Sequence, residues 1–296
     1  MIEDRSLGSR AFDVINLIIL ISLTLACLLP LWYTLMLSLS AKEAVQAGIV
    51  SLYPVGFNFY SFDAILSDTK FFRSFWVSTE RVVLGAAFTL LVLSLGAYPM
   101  SRTNKQFPGR NLLMWVFVFC LLFNGGLIPW YITMRNYDLL DSVWGLVLCG
   151  GVPIFNLILI MNFIKNLPEE LEEAARIDGA GPWRFLYQVL LPLLKPVLAT
   201  VILFTIVAHW NDFFQGLVLS RQEKNYPLQT YIQQLVATSQ ENLANLSLEE
   251  LDRATKLNND SLNAAKIFVA IIPVMLIYPY LQRFFVKGIT LGSVKG

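Results

Sequence analysis

The chain is predicted to be an all-α membrane protein with six transmembrane helices. Three observations predict it. Its 296 residues are 56% hydrophobic and only 15% charged, with mean hydropathy +0.58, whereas soluble domains carry roughly a quarter charged residues. The apolar residues gather into runs of about 20, which span a bilayer at about 1.5 Å rise per residue. Charged residues fall between those runs with alternating bias, as the positive-inside rule requires.

Composition also excludes several classes. The net charge is +1, with no basic block suited to nucleic acid. Cys27, Cys120 and Cys149 lie inside apolar runs without a Cys-x-x-Cys spacing, and are expected as packing residues rather than disulfide partners or metal ligands. His209 is the only histidine, so no zinc or haem site is expected, and no catalytic constellation stands at helical spacing.

The spans fall at about 12–39, 74–100, 110–131, 142–164, 193–219 and 264–287. Arg5 and Arg10 precede the first, as in a signal peptide, and Thr24-Leu25-Ala26-Cys27 resembles a lipoprotein cleavage site. The apolar run continues well past the roughly 7–15 residues of a signal h-region, so a retained signal-anchor helix is expected. Glu80 and Arg81 open the second span and are expected to snorkel to the outer interface. The next loop holds Arg102, Lys105 and Arg110 and no acid, whereas the loop after the third span holds Arg135 opposed by Asp138 and Asp141. The first loop is therefore assigned to the cytoplasm and the second to the outside. Both termini then lie inside, with Arg5 and Arg10 at one end and Arg283, Lys287 and Lys295 at the other.

Two extracytoplasmic segments follow, at about 40–73 and 221–263. The first is rich in aromatics, among them Tyr53, Phe57, Phe59, Tyr60 and Phe62. The second has Leu228, Tyr231, Ile232 and Leu235 at helical spacing, and Ser247 with Glu250 fits a capping box. Each suits either a packed lid or a partner-docking surface. Pro273 and Pro279 are expected to kink the last span. Without an internal repeat, residues 1–296 are read as one membrane domain, with a core at about 70–290.

The loop at about 165–195, between the fourth and fifth spans, is the most informative stretch. Pro168 suits a first helical turn, and Glu169, Glu170, Glu172 and Glu173 load the amino-terminal end with the charge that a helix dipole favours. Ala174 and Ala175 are small enough to let another protein approach. Asp178 precedes Gly179, which can take the left-handed conformation that ends a helix. Gly181-Pro182 opens a second helix, and Leu191-Pro192 marks the return to the membrane. The charge rule places this hairpin on the cytoplasmic side. There is no Gly-Lys pair anywhere in the chain, hence no Walker A motif, and any ATP must be bound elsewhere.

The run Glu173-Ala174-Ala175, three residues, Gly179, then Val189, a spacer and Leu191-Pro192 resembles the EAA loop of ABC-importer permeases. Resemblance extends over most of the chain to the carbohydrate-uptake, maltose-type group, and within it to the branch for oligosaccharides and polysaccharide fragments. It is carried by Ala97-Tyr98-Pro99-Met100-Ser101-Arg102, Phe107-Pro108-Gly109-Arg110-Asn111, Asn124-Gly125-Gly126-Leu127-Ile128-Pro129, His209-Trp210-Asn211, Tyr226-Pro227-Leu228-Gln229, and the tail from Val286 to Gly296. Met100 and Val189 stand where that branch usually has leucine and isoleucine.

The resemblance implies a bacterial cytoplasmic-membrane permease paired with a second homologous permease subunit. It further implies two ATPase subunits that bind ATP and Mg, an extracytoplasmic solute-binding protein, and import of an oligosaccharide by alternating access. Glu173, Ala174, Ala175, Asp178, Gly179 and Pro192 are then the expected ATPase-coupling residues. In the fifth span, aromatic and amide groups at bilayer depth suit a sugar. Trp210, Asn211 and Gln215 are expected on the substrate path, or else as hydrogen-bonding contacts between helices. Two other functions fit less of the sequence: an ABC permease for a non-sugar solute, and an ion-coupled carrier, which would want mid-membrane carboxylates and a repeat.

Overall fold

The structure, a computed structural model, describes residues 7–244 and 260–292. Every regular element among them is helical, the form in which a single segment satisfies its own backbone groups in lipid. The described residues form two compact units. One takes in the chain up to Thr69 and residues between Gln234 and Ile271; the other runs Lys70–Gln233 and resumes at Ile272.

In the first unit, α1 (Leu7–Ser38) has 32 residues, about 48 Å of helix. Its apolar residues are exposed around the whole circumference, from Phe12 through Ile18 and Leu25 to Leu29, the signature of a helix sheathed in lipid. Ser40 turns the chain: its Oγ donates to the Met36 carbonyl at 2.6 Å and accepts the Val55 N–H at 3.1 Å. α2 (Lys42–Gln46) seats Ala44 against Met36 and Val50. α3 (Tyr60–Leu66) is tied by Ser61 to the Ser261 hydroxyl at 2.5 Å, and Lys266 Nζ meets Asp68 Oδ2 at 2.5 Å. Tyr53, Phe57, Phe59 and Tyr60 stay exposed. The capping box at Ser247 and Glu250 lies outside the described residues.

The second unit begins with α4 (Thr69–Ser101), whose 33 residues form an unbroken span. The third expected span is instead two helices, α5 (Arg110–Leu122) and α6 (Leu127–Asn136), bent by 116°. The bend needs Gly126, at φ +88, and the Asn124 side chain that accepts its N–H at 2.9 Å. The fourth is also in two pieces, α7 (Val143–Leu148) and α8 (Ile154–Lys165), parted at Gly151 and Pro153. The hairpin follows as α9 (Glu170–Ile177) and α10 (Pro182–Leu193), the latter widened to a π-helix over Phe185–Leu190. α10 meets α11 (Lys195–Asn211) at a 77° bend. The fifth span is α11 followed, past Asp212 and Phe213, by α12 (Phe214–Leu219).

α13 (Leu228–Ala244) carries the helical spacing read in the outer segment, with Leu228 and Ile232 buried. The final helix, α14 (Asp260–Gly292), runs through both Pro273 and Pro279. All six apolar segments are therefore helical, but only the first, second and last are continuous helices long enough to span. Average hydropathy does not register a break that one glycine or an internal acid introduces. The cysteines also divide: Cys149 is buried, whereas Cys27 and Cys120 are exposed rather than packed.

Candidate coupling hairpin and translocation cavity

At the hairpin, α9 ends in a Schellman motif. Gly179 takes φ +75, its N–H donates to the Arg176 carbonyl at 3.0 Å, and the Ala180 N–H donates to the Ala175 carbonyl at 2.9 Å. This pair of bonds satisfies carbonyls that the helix end leaves open and reverses the chain toward α10. Pro192, exposed near the end of α10, cannot donate to the Gln188 carbonyl one turn back. The turn before it is opened into the π-helix, which relieves that crowding.

The two alanines face opposite ways. Ala174 is exposed, whereas Ala175 is 8% exposed and packs into a core with Leu93 and Ala97 of α4, Ile160 of α8, and Phe185 and Leu190 of α10. The sequence suggested that both alanines open a surface to a partner; only Ala174 is exposed. Ala175 instead joins α9 to α4, α8, α10 and, through Leu194 and Val201, to α11. Glu172 adds an ionic tie. It pairs with Arg102 beyond the end of α4 and with Arg176 at 2.7 Å, while the Arg102 guanidinium lies 4.4 Å from the Tyr98 ring centroid. Glu173 and Asp178 are exposed. So are the apolar side chains of Ile177, Trp183 and Tyr187, the two rings stacked at 6.2 Å.

The other site lies further along α4. Arg81 and Arg102 stand 21 residues apart on this helix and its end, about 30 Å and hence about one hydrocarbon thickness. Arg81 is not a snorkelling residue: it is 1% exposed. Its Nη2 pairs with Asp212 Oδ2 at 2.9 Å and donates to Gln215 Oε1, its Nε donates to the Leu146 carbonyl at 3.2 Å, and its Nη1 donates to the Asp212 carbonyl at 3.3 Å. Leu146 lies in the last turn of α7 and Asp212 in the gap between α11 and α12, where free carbonyls concentrate negative potential. One buried guanidinium thus closes both broken spans. Breaking such a pair costs about 3–5 kcal/mol.

Gln215 also borders a cavity of about 710 Å³, lined with Asn124, Gly126, Trp130, Thr133, Cys149 and Phe214 among others. Of the expected path residues, Gln215 alone reaches it. Trp210 is buried and stands edge-on to Phe75 at 5.5 Å, and Asn211 is exposed elsewhere. The Asn124–Gly126 bend and Trp130, whose indole N–H donates to the Cys149 carbonyl at 2.9 Å, were not singled out from sequence as cavity walls. The usable signal for them was an amide and two glycines breaking an apolar run. Among the described residues no cluster of His, Cys, Asp and Glu could hold a metal ion.

Near this end, the loop before α7 and the loop after α12 are knotted at Asp141, which has φ +56. Its Oδ1 accepts the Arg221 N–H at 2.7 Å and the Gln222 N–H at 3.1 Å, and Asn225 Nδ2 donates to its carbonyl at 3.1 Å. Partial burial alone would raise the carboxyl pKa. The two backbone N–H groups, the Asn225 amide and the Arg221 charge outweigh it and hold the pKa below the ordinary value. Arg221 donates to the Tyr131 hydroxyl at 3.0 Å, which together with the nearby charges favours its charged form.

Comparison with known proteins places the arrangement. Residues 93–291 match the family described as binding-protein-dependent transport system inner membrane component. The chain is 35% identical over 288 residues to the polygalacturonan/rhamnogalacturonan transport system permease protein YtcP of Bacillus subtilis, covering 97% of this chain and 99% of that one. It is also 35% identical over 289 residues to protein LplC of the same organism, covering 98% and 96%. Among solved structures it resembles a chain of a bacterial ABC transporter involved in the import of the acidic polysaccharide alginate. The TM-score is 0.84 at 32% identity, over 95% of this chain and 98% of that one. The chain therefore belongs to the binding-protein-dependent transport system inner membrane components and is a membrane subunit of an ABC importer.

Proposed function

We propose that the chain lines half of a translocation path for an oligosaccharide or polysaccharide fragment, and that its hairpin converts the motion of an ATPase into gate motion. One observation carries the coupling role. Ala175 packs α9 into a single core with α4, α8, α10 and α11, while Ile177, Trp183 and Tyr187 remain exposed on the hairpin. A push on these exposed side chains must displace that core as a body, since packed cores transmit strain. Glu173, Ala174, Asp178, Gly179 and Pro192 shape the receiving surface, and Ala175 is the transmitting foot. The partners are a second permease subunit, two ATPase subunits that bind ATP and Mg, and an extracytoplasmic solute-binding protein; both termini and the hairpin lie in the cytoplasm.

The carbohydrate assignment draws support from the substrates named for YtcP and for the alginate importer. It also draws on a cavity that combines Gln215 and Asn124 with the faces of Trp130 and Phe214, since sugar rings offer apolar C–H faces and hydroxyl rims. The test is uptake by the assembled complex in proteoliposomes, with its solute-binding protein outside. Uptake of labelled oligogalacturonate or neutral oligosaccharide that needs enclosed ATP is expected. Uptake that persists without ATP and follows an ion gradient would end the proposal.

A further inference from the structure

We infer that Arg81 is a positioning residue that fixes Gln215 as a hydrogen-bond donor into the cavity, so that this wall selects substrate oxygens. The inference rests on the translocation reading above and adds a chemical polarity to one wall of the path. A glutamine amide offers an acceptor oxygen and two N–H donors, and its orientation is free unless a neighbour decides it. Here the neighbour does decide. Arg81 has only donors, so the Gln215 atom it touches must be Oε1. Cys149 Sγ donates to the same oxygen at 2.8 Å. Flipping the amide would set its N–H groups against the guanidinium.

With Oε1 taken from two sides, Nε2 is the polar end left to a residue that borders the cavity, and no partner for it exists among the described residues. The backbone is held as well, because the Gln215 N–H, in the first turn of α12, donates to Asp212 Oδ1 at 3.4 Å. The guanidinium is itself held by the carbonyls of Leu146 and Asp212. The arrangement is therefore preorganised before substrate arrives. It favours sugar hydroxyls and, more strongly, carboxylates, whose charge strengthens a bond to N–H. Arg81 itself touches no substrate, being almost fully buried.

The discriminating variant is Gln215→Glu. A carboxylate keeps both acceptor contacts, to Arg81 and to Cys149, and exchanges the N–H donors for a negative charge that repels an acidic sugar. Uptake is measured with the assembled importer in proteoliposomes, using labelled oligogalacturonate and, separately, labelled maltotriose. Gln215→Glu is expected to raise KM for the transported sugar about tenfold, more for oligogalacturonate than for maltotriose, and to lower the maximal rate by less. Arg81→Lys supplies a second test, since an ammonium has three donors on one atom and cannot hold the four acceptors that the guanidinium fork reaches. It should raise KM in the same direction by releasing the amide. Should Gln215→Glu fail to co-elute with its partner subunits, Arg81→Lys decides alone. A KM equal to wild type in the assembled variants would overturn the inference while leaving import intact. Wild-type complex that moves neither sugar would instead overturn the proposed function, and this inference with it.

Discussion

Gly179→Ala is the sharpest test of the hairpin geometry. Gly179 sits at φ +75, and a Cβ built there would meet nothing within 4 Å. Steric clash with neighbours is thus excluded, and the whole cost is conformational, about 1–2 kcal/mol for an L residue held in the left-handed region. The cost falls on the Schellman bonds from Gly179 and Ala180, which should open roughly 5- to 30-fold more often. Gly181, two residues on, is a matched control. It has open space around its Cβ position but φ −71, so Gly181→Ala should cost about 0.5 kcal/mol or less. Hydrogen exchange of peptides covering residues 170–182 in the assembled complex, read by mass spectrometry, separates the two. Faster exchange in Gly179→Ala alone is expected, together with reduced sugar uptake per ATP hydrolysed. Equal exchange in both variants would refute the claim that the left-handed turn holds the hairpin.

Two further outcomes follow from the packing and the charges. Ala175→Leu should destabilise the complex by about 1–3 kcal/mol through overpacking, whereas Ala174→Leu, on the exposed face, should stay within about 0.5 kcal/mol; thermal unfolding in detergent reads both. Asp141 has a lowered folded-state pKa, so its ionised form contributes stability that is complete above its ordinary pKa of about 3.9. That stability is lost only as pH falls through the depressed folded value. Melting temperatures should therefore show no pH-dependent change from Asp141 between about pH 5 and 8, where its contribution is constant, and Asp141→Asn should blunt the loss seen in stronger acid. An Asp141→Asn variant as acid-sensitive as wild type would refute this.

Some features were legible because they rest on local chemistry. Apolar run length located all six helical segments, and the helical spacing of Leu228 and Ile232 located α13. Gly179 was readable as a left-handed stop because its neighbours on both sides begin or end helices. The cavity was less legible. Gln215 stands out in the sequence, but the burial of Trp210 against Phe75 does not, and Arg81 reads as an interfacial residue because its acceptors at Leu146, Asp212 and Gln215 lie 65 to 134 positions away. The breaks at Gly126, Gly151 and Asp212 were hidden inside runs whose mean hydropathy still fits a span.

The sequence by itself determined that this chain lives in a membrane, that its segments are helical, and that a charged, glycine-terminated hairpin interrupts them, since hydrophobic transfer, backbone hydrogen bonding and φ preference act over a few neighbouring residues. Only the tertiary structure decided which of the two alanines points inward, where the spanning helices break, and that a single buried guanidinium joins two of those breaks to the wall of a cavity. Those outcomes depend on which distant groups come within hydrogen-bond reach, and spacing along the chain carries no information about that distance.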